Sequence, residues 1–147
     1  MILNNFTKIH DKLIIILNTS GGCVSDGIAI IQAIEASKIP IVIVGLGEIK
    51  SMAFDIFIAG HERILAPTTI VMSHPLSMPV DGTTHDHRTY NKYIEMMHAN
   101  HRKHVKKYTK LDNATIDELF LGKQDLFLTA KECIKYGVAD RISSKFV

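Results

Sequence analysis

The stretch LIIILNTSGGCVSDGIAIIQAIEASK, residues 13–38, passes through three patterns in succession. Residues 13–17 form a continuous apolar run rich in isoleucine, which is typical of a buried β-strand. A turn containing Gly21 and Gly22 follows. From Val24 onward apolar residues recur near helical spacing, and Pro40 closes that region. The stretch therefore predicts a strand, a glycine turn and a helix.

The residues that follow repeat this alternation of strands and helices. IVIVGLG, residues 41–47, predicts a second buried strand, and SMAFDIFIAG, residues 51–60, predicts an apolar helix. ERILA, residues 62–66, and TIVMS, residues 69–73, predict short strands. This order favours an α/β fold with mostly parallel strands and right-handed crossovers.

The second half of the chain is predominantly helical. Three helices and a final strand are predicted at about residues 86–108, 111–122, 129–137 and 138–142. Asp112 or Asn113 is expected to cap the second of these helices. Thr129 and Glu132 form a capping box for the third, which ends at Gly137.

The composition is that of a soluble globular protein. The chain has 147 residues, which predicts one domain over residues 1–147, and it is 46% hydrophobic and 22% charged. A net charge of +2, without a basic cluster paired with aromatics, argues against nucleic acid. The first residues lack the apolar core of a signal peptide, and LIIIL is far too short to span a membrane. We expect a cytoplasmic protein that binds no membrane.

The two cysteines, Cys23 and Cys133, have no spacing that suggests a metal site or a disulfide framework. A reducing compartment and no bound metal are therefore expected.

Ser51 is the first candidate for chemistry. It follows a predicted strand and opens an apolar helix, where backbone N–H groups lack partners. The N–H of Met52 would lie beside its hydroxyl and could stabilise an oxyanion. The alternative is an ordinary N-cap serine. The glycine turn at residues 21–22 suits either an oxyanion hole and a docked peptide or an ordinary strand-to-helix turn.

His74 and Asp125 are the other candidates. His74 ends a predicted parallel strand, at the edge of the sheet where sites gather. Asp125 lies in a predicted loop between two helices. Each of them, taken alone, also fits an ordinary surface residue or cap.

Four stretches together resemble the ClpP family, the serine peptidase subunits of ATP-dependent Clp proteases. They are NTSGGCV, GEIKSMAFDIFIAG, TIVMSHP and QDLFLTAKECIKYGVADRI, and their order and approximate spacing agree with the family over residues 13–142. The resemblance implies a triad of Ser51 as nucleophile, His74 as general base and Asp125 as the residue that orients the imidazole. It also implies an oxyanion hole formed by Gly21 and Met52. The peptide substrate would lie in a groove formed by Gly22, Cys23, Val24, Pro75 and Leu76.

The same resemblance implies a Clp/crotonase-type fold of stacked ββα units, with a protruding handle helix over about residues 78–110. It implies two stacked heptameric rings, unfolded polypeptide substrates and an AAA+ Clp unfoldase as a partner. No cofactor is expected on this chain, because the partner would use the ATP. The cytoplasm, a plastid stroma or the cytoplasm of an infected host would all fit.

The chain departs from the family pattern in two places. Few residues precede the first strand, so altered axial gating and unfoldase contact are expected. Glu48, Ile49 and Lys50 stand where the family has small residues, and Asp55 lies inside an apolar helix one turn from Ser51. Since a buried carboxylate is costly unless paired, Asp55 should have a partner, either Lys50 or a neighbouring subunit. Asp55 as the triad acid is a further alternative.

Five histidines fall in the predicted handle: His85, His87, His98, His101 and His104. His98, His101 and His104 recur at three-residue spacing and so lie near one helical face, which suggests either a metal site or a solvated or ring-interface face. If the handle is an interface, these histidines would make assembly sensitive to pH. Cys23 acting with His74 is an alternative nucleophile.

Three other functions are weighed against a serine endopeptidase. One is a catalytically inactive ring subunit with a role in assembly or regulation. Another is an acyl-CoA enzyme of the crotonase type, which explains the glycines but not the three candidate residues together. The last is a serine–lysine peptidase of the signal-peptide-peptidase kind, against which VMSH and QDLFL argue.

Overall fold

The computed structural model describes residues 11–75, 84–120, 122 and 124–146, and for residues 84–87 and 119 it describes the backbone alone. The elements in chain order are β1 (Leu13–Thr19), α1 (Val24–Glu35), β2 (Ile41–Lys50), α2 (Met52–Ile58), β3 (Glu62–Leu65), β4 (Ile70–Ser73), α3 (Thr84–Tyr108), α4 (Asn113–Thr115, continued by a π-helical turn, Ile116–Phe120), β5 (Leu126–Thr129), α5 (Ala130–Tyr136) and β6 (Arg141–Ile142). The predicted α/β class is confirmed.

The strands form one sheet in the order β5-β4-β2-β3-β6, and β1 also pairs with β2. All of these pairs are parallel except β4 with β5. The sheet is therefore mostly parallel, as predicted.

Strand β2 changes its neighbour along its length. Residues 42–45 pair with β3, and residues 48–50 pair with β4. Between these two segments Gly47 has a φ of 60°, and the register with β1 shifts between Leu17 and Thr19. At this shift the Asn18 Oδ1 accepts a hydrogen bond from the Glu48 N–H at 3.2 Å, which links β1 to β2 where the regular pairing is interrupted. The strand thus continues to Lys50, beyond the predicted end at Gly47, because the glycine forms a bulge rather than a terminus.

The core lies on both faces of the sheet. Side chains of β2 alternate: Ile41 and Ile43 pack with the helices, whereas Val42 and Val44 pack with Ile64 on the other face. The helical side holds most of the large side chains that are fully buried, among them Phe54, Phe57, Ile58, Ile116 and Phe120. The strand that leads to Ser51 is therefore fixed on both faces by close packing.

Arg63 joins β3 to two other parts of the chain. Its guanidinium donates to the Asp140 carboxylate at 2.7 and 3.0 Å, and to the carbonyls of Tyr108 and Gly137 at 2.6 and 3.0 Å. These bonds hold the end of α3 and the turn after α5 against the sheet. Val105, one turn before the end of α3, is completely buried.

The predicted helix signals near the C-terminus are confirmed. Thr129 and Glu132 form the capping box, and Gly137 ends α5 with a φ of 70°. Asp112, one of the two residues proposed as a cap, accepts a hydrogen bond from the Thr115 N–H at 2.8 Å. Strand β5 was not predicted, since its four residues form a ladder only with distant β4.

Within the described ranges, no helix combines the length and the apolar character needed to cross a membrane.

Candidate active site

The parallel register of β2 and β4 brings Ser51 close to His74. Lys50 pairs with Met72, and the Ser51 N–H donates to the Met72 carbonyl at 2.9 Å. His74 directly follows Ser73, the last residue of β4. Neighbouring strands lie about 4.8 Å apart, so side chains at their common carboxyl edge can meet. The Ser51 Oγ lies 2.7 Å from the His74 Nε2.

Ser51 has a backbone conformation that serine rarely adopts. Its φ is 55° and its ψ is −129°, and it is the sole non-glycine residue with a positive φ in the described part of the chain. Such a conformation costs on the order of 1–3 kcal/mol and persists only where surrounding bonds enforce it. Here the Ser51 N–H is bound to β4, and its carbonyl accepts the Phe54 N–H at 2.8 Å, which starts α2.

The Ser51 hydroxyl does not act as a helix cap. Ser51 occupies the N-cap position of α2, yet its side chain makes no capping hydrogen bond. Its Oγ contacts His74 instead. The arrangement of a serine hydroxyl against an imidazole is that of a nucleophile beside a general base.

Asp125 lies one position beyond the last pair of the β4–β5 ladder. Leu126 pairs with Ser73 in the antiparallel β4–β5 ladder, so the same register continued by one residue sets Asp125 opposite His74. Paired residues in such a ladder have Cα atoms about 4.5–5.5 Å apart. The Asp125 side chain is exposed, and among the described residues it forms no hydrogen bond with His74. The structure joins two of the three predicted triad residues.

The glycine turn lies against the serine. A Cβ on Gly21, whose φ is 106°, would be 2.8 Å from the Ser51 Cβ. The Gly21 N–H donates to the Thr19 Oγ1 at 3.2 Å, so in this structure that amide is already engaged. Gly22 has open space at its Cα and lines the cavity beside Ser51. Met52 is the first residue of α2, where the amide has no acceptor within the helix.

A cavity of about 610 Å³ opens from Ser51 and His74. The predicted groove residues Gly22, Cys23 and Val24 contribute to its lining. Pro75 lies next to His74 but is not among the lining residues, and Leu76 falls outside the described residues. The cavity continues between α1, α2 and α3.

Asp55 lines the same cavity, and its partner is His101 of α3. The His101 Nε2 lies 3.1 Å from the Asp55 Oδ1, within ion-pair distance, and neither of these buried atoms forms a hydrogen bond with any described residue. The expected partner Lys50 is wrong, because its ammonium pairs with Glu48 at 2.7 Å. Asp55 forms no hydrogen bond with His74 within the described ranges, and so nothing there supports it as the triad acid.

His101 and His104 of α3 differ in their electrostatics. Burial lowers the pKa of His101, but contact with the Asp55 carboxylate outweighs burial, so its pKa is raised above the usual value. Burial dominates at His104 and lowers its pKa, although its Nε2 lies 2.8 Å from the Asp55 carbonyl oxygen. Sequence spacing places both residues on one helical face but does not reveal that this face covers α2.

No group of three or more His, Cys, Asp or Glu side chains in the described ranges is arranged to hold a metal ion. The side chains of His85 and His87 lie outside those ranges, as do residues 78–83 of the predicted handle.

Cys23 is exposed at the rim of the cavity. Its Sγ lies 3.0 Å from the Ser25 Oγ, and this hydrogen bond lowers the pKa of the thiol. The part of the chain that is described shows no hydrogen bond between this thiol and His74, whose Nε2 is bound to Ser51. The contacts therefore single out the serine, not the cysteine, as the partner of the imidazole.

Comparison with known proteins supports the predicted resemblance. A family model described as Clp protease matches residues 1–146. The chain is similar to the ATP-dependent Clp protease proteolytic subunit 1 of Leifsonia xyli subsp. xyli (strain CTCB07), with 30% identity over 130 residues, which is 86% of this chain and 64% of that protein. It is also similar to the ATP-dependent Clp protease proteolytic subunit 2 of Tropheryma whipplei (strain Twist), with 26% identity over 148 residues, which is 99% of this chain and 81% of that protein. The chain thus spans less than two thirds of the first relative's length. It belongs to the Clp protease family.

Proposed function

We propose that this chain is a serine-type endopeptidase subunit that cleaves unfolded polypeptides. The single observation that carries the proposal is the 2.7 Å contact between the Ser51 Oγ and the His74 Nε2, at a serine held in a strained backbone conformation. A strained serine turn next to a base is the arrangement that presents a nucleophile in other hydrolases. Membership of the Clp protease family agrees with this chemistry.

In the proposed mechanism, His74 accepts the Ser51 proton as Oγ attacks the peptide carbonyl. The oxygen that gains negative charge is stabilised by the Met52 amide and by an amide of the turn at Gly21 and Gly22. The protonated His74 then donates its proton to the leaving amine. Water hydrolyses the acyl-enzyme with His74 again as the base. Asp125, after its side chain turns toward His74, would orient and stabilise the imidazolium.

We propose that copies of this subunit assemble into two stacked heptameric rings. An AAA+ Clp unfoldase would deliver unfolded polypeptides to them. The family supports this, and both relatives are named as proteolytic subunits. Several large apolar side chains are exposed on this chain: Ile16 by 66%, Met96 by 57% and Phe127 by 56%. They lie on β1, α3 and β5, and in an assembly such side chains could pack against a neighbouring subunit.

The experiment is labelling with a fluorophosphonate, which reacts only with an activated serine. We expect labelling of the wild-type chain and no labelling of Ser51→Ala. The control is Ser144→Ala, which removes an exposed hydroxyl distant in sequence from Ser51 and should be labelled like the wild type. Labelling that persists in Ser51→Ala would contradict the proposal.

A second function, that of an inactive ring subunit, is favoured by one observation: Asp125 is exposed and makes no hydrogen bond with His74 among the described residues. Under that proposal, light scattering shows that the wild-type chain forms rings, but the fluorophosphonate labels it neither alone nor with its unfoldase.

A further inference from the structure

The cavity next to Ser51 leads to a charged group one helical turn away. Asp55 lies in the first turn of α2, the helix that begins directly after Ser51, and one helical turn rises about 5.4 Å. Both residues line the cavity of about 610 Å³. A lysine side chain, with five bonds of about 1.5 Å in zigzag, extends about 6 Å from its Cα. A side chain projecting from a peptide held at Ser51 can therefore reach the Asp55 carboxylate.

Of the two carboxylates that line this cavity among the described residues, Asp55 has no lysine or arginine within ion-pair distance in the described ranges. The other one, Glu35 of α1, is bound by the Lys107 ammonium at 2.7 Å and by the Tyr108 hydroxyl. Among the described residues, the titratable side chains within 4.0 Å of the Asp55 Oδ1 are His101, at 3.1 Å, and His104, at 4.0 Å. Both are histidines, so the positive charge opposite Asp55 depends on pH.

Part of the cavity wall is apolar and suits the aliphatic stem of a long side chain. Ile28 and Ile31 of α1 line it on one side, and Met97 of α3 lines it on another. The Asp55 side chain keeps 16% of its surface exposed, so it is accessible from the cavity although mostly buried. A cavity with an apolar wall and a carboxylate at its far end is complementary to a lysine or arginine side chain, which has an apolar stem and a charged head.

We propose that Asp55 determines specificity and binds a cationic side chain of the residue whose carbonyl Ser51 attacks. This inference rests on the proposed peptidase function and names its substrate class. An apolar side chain in the cavity would remove water from Asp55 without offering a partner, which disfavours it. A lysine or arginine supplies a charge-assisted hydrogen bond in its place.

The substrate cation competes with protonated His101 for the same carboxylate. When His101 is protonated at low pH, Asp55 is already neutralised and discriminates little. When His101 and His104 are neutral, Asp55 has no other cation within 4 Å among the described residues. The preference for a cationic residue therefore increases as pH rises.

The test uses two fluorogenic peptides of identical sequence, except that lysine or norleucine precedes the cleaved bond. Both side chains have a four-carbon stem, and only lysine is charged. The ratio of their kcat/KM values is independent of the protonation of Ser51 and His74, since those residues act on both peptides. We expect a ratio of about 10 to 100 in favour of lysine at pH 8 to 9, the effect of one charge-assisted bond, and a smaller ratio near pH 6.

The decisive variant is Asp55→Asn, which keeps the shape of the side chain and removes its charge. We expect its ratio to fall to about 1 and to stay constant with pH, whereas Asp26→Asn, a change at an exposed residue of α1, keeps the wild-type ratio and its pH dependence. Equal cleavage of both peptides by the wild type, or an unchanged ratio in Asp55→Asn, would overturn the inference.

A binding measurement keeps this test separate from the peptidase proposal. If neither peptide is cleaved, the peptidase proposal fails, and calorimetry with Ser51→Ala and short peptides ending in lysine or norleucine then decides the inference. Tighter binding of the lysine peptide, lost when Asp55→Asn is added, supports it. Equal affinities overturn it.

Discussion

Leu126 pairs with Ser73 in the antiparallel ladder between β5 and β4, and the next position in this register sets Asp125 opposite His74. The backbone thus brings an acid to the histidine, while the carboxylate itself is turned to solvent. In the proposed mechanism this carboxylate must turn toward His74, since both residues lie one position beyond the last ladder pair and no hydrogen bond joins them.

Asp125→Asn is expected to reduce kcat by about 10³- to 10⁴-fold, since an amide cannot hold the imidazole in the correct tautomer or stabilise its cation. The measurement is peptide hydrolysis by the assembled protein, with Asp26→Asn as the control. The reduction should be equal for lysine and norleucine peptides, because Asp125 does not line the cavity. Unchanged hydrolysis by Asp125→Asn would remove this residue from the mechanism.

Arg63→Ala is expected to lower the free energy of unfolding by about 2–4 kcal/mol. The side chain is 12% exposed and makes four hydrogen bonds to a carboxylate and two carbonyls, and its removal leaves those acceptors without a donor. Arg141→Ala is the matched control: its pair with Glu62 is 47% and 40% exposed, so about 0–1 kcal/mol is expected. Equal costs for the two variants in urea unfolding would show that the buried carbonyl bonds contribute nothing.

His101→Gln is expected to destabilise the fold more at low pH than at high pH. Contact with Asp55 raises the pKa of His101 in the folded state despite burial. A raised pKa adds stability that is complete below the unfolded-state pKa of about 6.5 and is lost as pH rises through the folded-state pKa. The measurement is urea unfolding of the variant and the wild type at about pH 5.5 and pH 9.

His104→Gln provides the opposite control. Burial lowers the pKa of His104, so protonation of this residue favours the unfolded chain and its replacement should cost less at low pH than at high pH. The same sign of pH dependence for both variants would contradict this account of the Asp55 cluster.

Much of the fold was predictable because the signals are local. The apolar run before Asn18, the capping box at Thr129 and the glycine at position 137 each determine their own segment. Strand β5 was not predictable in this way, because four residues with an exposed Phe127 become a strand only by pairing with β4. The local pattern also predicts that β2 ends at Gly47. The strand continues to Lys50 because Gly47 forms a bulge, and that bulge depends on pairing with the neighbouring β1.

At the site, sequence identified Ser51 and His74, but not how they meet. Their contact depends on the register between β2 and β4, which no periodicity encodes. The need for a partner at Asp55 follows from the cost of burying a carboxylate, yet Lys50, one of the two partners considered, is wrong. Proximity in sequence favoured Lys50, whereas packing of α3 on α2 brings His101 there instead.

Ser51→Gly is expected to be more stable than Ser51→Ala, although both lack the nucleophile. Alanine retains the cost of a positive φ, on the order of 1–3 kcal/mol, and glycine relieves it. Glycine has the larger conformational entropy in the unfolded chain, which destabilises the folded Ser51→Gly variant by about 0.5–1 kcal/mol and offsets part of this gain. A net advantage of about 1 kcal/mol for Ser51→Gly should appear in urea unfolding. If Ser51→Ala is equally stable, the backbone at Ser51 is not strained, and the conformation of the serine turn would have to be explained by the hydroxyl contact with His74 alone.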